Sequence, residues 1–141
     1  MQRSVVVILA VALGCGVSLG AYAAGNASRE VATALIHANV AAKVDALSGV
    51  HLHLHHVLNC VLGPHSKEYS AAAEAVSANP CKGLGDGALP DAAHDTLAQR
   101  ELRNAAHAAE RGVASSNLAV AHREARTVVA ALDAAQRALK K

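Results

Sequence analysis

The chain has 141 residues, a formal charge of +2 with histidine neutral, and 52% hydrophobic residues. So mild a charge builds no field that would gather nucleic acid or an anionic membrane. Two tyrosines, with no tryptophan or phenylalanine, leave too little aromatic material for a β core and favour helices packed through alanine, valine and leucine.

The N-terminus reads as a secretory signal peptide over residues 1–23. Arg3 supplies the positive start, Val5 to Leu13 the apolar run, and Ala21-Tyr22-Ala23 the small residues of a cleavage site. The run is too short for a membrane span and no second one follows. Cys15 in "ALGC" has the form of a lipoprotein signal, but Ala12 stands where leucine is usual, so cleavage after Ala23 is preferred over lipid anchoring. Residues 24–141 then form one domain, periplasmic or secreted.

A first helix is predicted from Asn26 or Ser28 to about Leu62, closed by Gly63-Pro64. Ile36, Val40, Val44, Leu47, Leu54, Leu58 and Val61 fall on one side of it. A short helix over Ser66 to Val76 precedes a loop at residues 79–91, "NPCKGLGDGALPD". Asp91 is placed to cap a third helix running through about Arg111. Gly112 can mark a turn or lie inside one very long helix. The turn is preferred, because Leu118, His122, Ala125, Val129, Leu132 and Leu139 restart the apolar pattern after it. The expectation is an all-α fold, a small antiparallel bundle of three long helices and one short one.

Cys60 and Cys81 are the cysteines left after cleavage. In an oxidising compartment an even pair is most simply a disulfide, and closing that loop contributes about 3 kcal/mol by the chain-entropy estimate. The alternative is two free thiols acting as soft metal ligands. So thin a core gains from a staple or from a partner, either a second copy or an envelope protein.

The chemistry of the chain is concentrated in "VHLHLHHVLNCVLGP", residues 50–64, with histidines at 51, 53, 55 and 56. On a helix His51 and His55 stack at i,i+4, a spacing that lets two imidazoles hold one transition-metal ion. They form the main predicted pair, and His37 falls on the same flank. His53 and His56 lie on the opposite side as a second or supporting pair, with Cys60 continuing their line. A disulfide to Cys81 would fold the glycine-rich loop across that second face. Further ligands are sought from His122, in the apolar seam of the last helix, and from His94 or His65. With the thiols oxidised, imidazole is the dominant donor, and the affinity order places Cu²⁺ ahead of Ni²⁺ and Zn²⁺.

Catalytic signatures are missing: residues 24–141 hold no HExxH, GxSxG or CxxC. "GLGDG" at residues 83–87 follows no strand and reads as a connection, not a phosphate loop. No CxxCH is present for covalent haem, which leaves noncovalent haem between two histidines as a minor reading. No catalytic residue is assigned and no enzyme is expected.

"HAAERGVASSNLAVAHREA", residues 107–125, resembles the helix–turn–helix units of small His-rich periplasmic metal-binding proteins of proteobacteria. That resemblance implies a helical hairpin and makes His107 and His122 candidate ligands for copper or another divalent ion. "HLHHVLNCVLGP" followed by "NPCKGLGDGA" also resembles a motif of exported bacterial proteins, which implies no function. The sequence reading is therefore an exported, non-enzymatic helical protein that buffers or carries a divalent transition metal. Its alternative is a disulfide-stapled helical interaction module whose histidines are incidental or pH-responsive.

Overall fold

The computed structural model describes residues 19–141, with side chains from Asn26 onward. The predicted leader up to residue 18, and Cys15 within it, lies outside the described residues. The described chain forms six helices: α1 (Leu19–Ala41), α2 (Leu47–Leu62), α3 (Ala71–Val76), α4 (Ala88–Asp91), α5 (Thr96–Ala114) and α6 (Leu118–Ala138). The all-helical expectation holds among the described residues. The count of long helices differs, with four where three were expected.

The extra helix comes from a break in the predicted first one. α1 ends at Ala41 and the chain reverses through residues 42–46 before α2 begins at Leu47. No proline or glycine lies inside this turn. It is held from a distance, by His122 on α6, whose Nε2–H donates to the Val44 carbonyl at 2.9 Å. The α5–α6 turn is fixed in the same way. His51 on α2 donates Nε2–H to the Ser115 carbonyl at 2.9 Å. Each hairpin thus satisfies a turn carbonyl of the other, which helix and turn geometry would leave without an internal donor.

The two hairpins, α1–α2 and α5–α6, pack so that α2 meets α5 and α1 meets α6. The core between them is made mostly of alanine. On α1, Ala27, Val31, Ala34, Ala38 and Ala41 are wholly buried, and small side chains let the helix backbones approach closely. Leu54, Leu102 and Leu132 are the largest apolar groups fully enclosed. Ile36 and Val40, expected on the buried stripe, face out at 64% and 39% exposure, because the break turns the alanine face of α1 to the core instead.

Gly112 is not the turn. It sits buried near the end of α5, where a β-carbon would lie 2.5 Å from Leu54 Cδ1, so the glycine allows α5 and α2 to meet. The turn follows at Ser115–Asn117, and Asn117 caps α6 by accepting the Val120 N–H at 3.1 Å. Asp95, not Asp91, caps α5, accepting the Ala98 N–H at 2.9 Å.

Between the hairpins the chain is stapled. Cys60 and Cys81 form the expected disulfide. Gly63 ends α2 at φ 76°, and a β-carbon there would collide with the Asp86 backbone. The glycine-rich loop therefore lies against the end of α2 and the side of α1. Asn59 holds the intervening arm, accepting the Ser70 N–H at 2.8 Å and donating to the Ser70 carbonyl at 3.2 Å.

Candidate metal centre

The reversal at residues 42–46 decides which histidines meet. It lays the end of α1 antiparallel to α2, so His37 arrives against His53 and His56. His37 Nδ1 lies 3.0 Å from His53 Nδ1 and 3.3 Å from His56 Nδ1. The His37 and His56 rings are edge to face, with centroids 4.9 Å apart. One ring nitrogen from each of the three histidines lies within 4.8 Å of the other two.

The two distances from His37 match edges of a coordination polyhedron. With metal–nitrogen bonds of about 2.0–2.1 Å, ligand nitrogens stand about 3.3 Å apart at a tetrahedral angle and about 3.0 Å apart at a right angle. His56 Nε2–H donates to the Ser77 carbonyl at 3.2 Å, which fixes the ring and leaves Nδ1 as the acceptor. That contact is the outer-sphere hydrogen bond that commonly orients a metal-binding imidazole.

The site also keeps the His37 and His53 rings neutral. Burial, followed by the charges that His56 and His53 would carry, holds His37 down to about 4. Burial and His56 lower His53 as well. His56 itself is fully enclosed. Neutral imidazole is the form that coordinates a metal, so His37 and His53 need lose no proton to bind one near neutral pH.

The remaining histidines have other surroundings. His51 and His122 hold the two hairpin turns through Nε2, as described. His55 is near His51, and burial followed by the His51 charge lowers its pKa. Its Nδ1 is buried with no hydrogen-bond partner. The i,i+4 pair thus sits on the face toward the α5–α6 turn, without His37. His65 is exposed beside Asp86 at 3.8 Å, and His107 is exposed beside Glu110 at 3.4 Å. His94 is exposed. The cover over the second pair also differs in detail. Ser77, just before the disulfide, closes over His56, while the glycine-rich loop packs on α1.

Sequence periodicity along one continuous helix placed His37 with His51 and His55. The sequence does carry weak signs of a break, since Asp45, Ser48 and Gly49 are poor helix-interior residues. Among the described residues no helix is long and apolar enough to cross a membrane. No family model, curated protein or solved structure matches the chain, so its function is argued from this geometry.

Proposed function

We propose that the protein binds one divalent transition-metal ion through Nδ1 of His37, His53 and His56, and buffers or carries that ion outside the cytoplasm. The observation that carries this reading is the convergence of three imidazole nitrogens at 3.0 and 3.3 Å. Imidazole suits Cu²⁺, Ni²⁺ and Zn²⁺, and the affinity order ranks Cu²⁺ first among them. The Cys60–Cys81 disulfide supports an oxidising compartment. Its two sulfurs are bonded to each other and are not offered as ligands. Three protein donors leave a position for water or an exchangeable ligand, which suits delivery as well as storage. The site is read as non-enzymatic: the three histidines have ligand chemistry and are joined by no nucleophile or acid–base pair.

Calorimetric titration of the folded protein with Cu²⁺, Ni²⁺ and Zn²⁺ tests this. The expected result is one ion per chain, bound micromolar or tighter, with binding lost in H53A/H56A and kept in H107A. Affinity no better than about millimolar for all three ions would reject it. Equal binding by wild type and H53A/H56A would reject it too. A melting curve unmoved by metal or chelator would favour the interaction-module reading instead.

A further inference from the structure

A second buried polar cluster lies on α1, two turns before His37, and the metal site makes no use of it. Glu30 is 1% exposed. Its Oε1 accepts the Gly87 backbone N–H at 3.1 Å. Asp91 lies at the end of α4, with the Asp86 backbone beside its carboxyl. Glu30 therefore spends one oxygen on the glycine-rich loop. The other oxygens, Glu30 Oε2 and Asp91 Oδ2, are buried with no donor, and the two side chains are within hydrogen-bond reach of each other. Gly85 presses against both, since a β-carbon there would collide with Asp91 Oδ2 and with Glu30 Oε1.

Two carboxylates are acceptors only, so they cannot bond to each other while both are charged. Like charges at such separation, shielded from water, resolve by keeping one proton between them. The neighbouring charges do not relieve the pair. Asp91 on α4 and Asp86 on the loop are the charged groups acting on Glu30, and both are acidic. From α2 the nearest chemistry is the Cys60–Cys81 disulfide, which does not titrate. Lys82, across the cavity that Glu30 lines, is committed to Glu74 at 3.0 Å. A cation is a poor substitute for the proton, because Ca²⁺ takes about 6–8 oxygen ligands and the pair offers two free ones.

We propose that Glu30 and Asp91 share a single proton, forming an acid–carboxylate latch that fastens the glycine-rich loop to α1 and releases it when the proton leaves. The bond is Oε2–H···Oδ2 when the proton sits on Glu30. On deprotonation the proton passes to solvent and two facing anions remain, which drives the loop away from the helix. Burial, and then the Asp91 charge, push Glu30 up to about 7, and burial followed by Asp86 also raises Asp91. The pair titrates as one unit. The latch is closed in mild acid and opens through neutrality, independently of the histidines.

Carboxyl ¹³C shifts of Glu30, with the exchange protection of the Gly87 amide, test this in the full disulfide-bonded chain in EDTA. Glu30 should titrate near neutrality, and Gly87 protection should fall by about tenfold from pH ~6 to ~8. In Glu30→Gln the amide N–H takes the place of the proton, so protection should stay high and flat with pH. A Glu30 carboxyl titrating at an ordinary carboxylate value would overturn the proposal. So would Gly87 protection that ignores pH, or protection that depends on withholding EDTA, which would mark a bound cation. Should Glu30→Gln fail to fold, the wild-type carboxyl titration decides alone.

Discussion

α1 carries two buried polar clusters seven residues apart, and they are chemical opposites. At Glu30 two carboxyl groups meet, each with a buried oxygen that has no donor. At His37 three imidazole nitrogens converge. The acid pair is built so that a proton suffices: two buried oxygens without a donor, Glu30 Oε2 and Asp91 Oδ2, with Gly85 pressed against the carboxyls. The imidazole cluster offers three nitrogen donors, with His37 at coordination-sphere separation from the other two, and one of them is oriented from outside by Ser77. The comparison teaches that burial alone does not make a metal site. Donor number, donor type and outer-sphere support separate a proton site from a metal site.

The sharpest way to break the comparison is to delete one donor from each cluster. His56→Ala should lower metal affinity by more than about 100-fold, since losing an outer-sphere partner alone costs about 10–100-fold. Glu30→Gln should leave metal affinity unchanged. Calorimetry reads both.

The next effect is on stability against pH in the metal-free protein. Glu30 is raised from 4.5 to about 7, so its contribution is complete below 4.5 and is lost as pH rises through 7. By about 1.36 kcal/mol per pH unit this amounts to at most about 3 kcal/mol. His37 is lowered from 6.5 to about 4, so its contribution is present above 6.5 and is lost as pH falls through 4. The two windows overlap with opposite signs, and wild-type stability should be comparatively flat between them. Urea unfolding of Glu30→Gln should reveal stability that rises with pH, and His37→Gln stability that falls. A steep wild-type slope matching neither variant would show that the clusters are not the main titrating elements.

Gly85→Ala is a smaller disturbance. It should cost about 1–3 kcal/mol as an overpacked contact and lower the protection of the Gly87 amide, with metal affinity unaltered. The smallest effect belongs to His107, exposed beside Glu110. His107→Ala should change neither melting temperature nor metal affinity, and a lost binding site there would favour the resemblance-based ligand assignment over the geometric one.

Much of the fold was legible in the residues. Gly63-Pro64 ended a helix, Cys60 and Cys81 paired, and alanine with little aromatic content gave helices. The histidine tract marked the right helix for the site. The partner of that tract was not legible, because the reversal at residues 42–46 depends on His122 reaching Val44 from 78 positions away. Local periodicity carries no information about such a contact. The Nε2 contacts of His51 and His122 to distant turns were not legible for the same reason. Glu30 could have been found. It sits between Ala27 and Ala34 on the register of buried α1 residues, where an acidic side chain needs a partner.

Crystals of the zinc- or copper-loaded protein, measured on both sides of the metal absorption edge, give the most direct test of the metal site. The account predicts one anomalous peak about 2 Å from Nδ1 of His37, His53 and His56. A peak between His51 and His55, or metal found only at exposed His65 or His107, would contradict it.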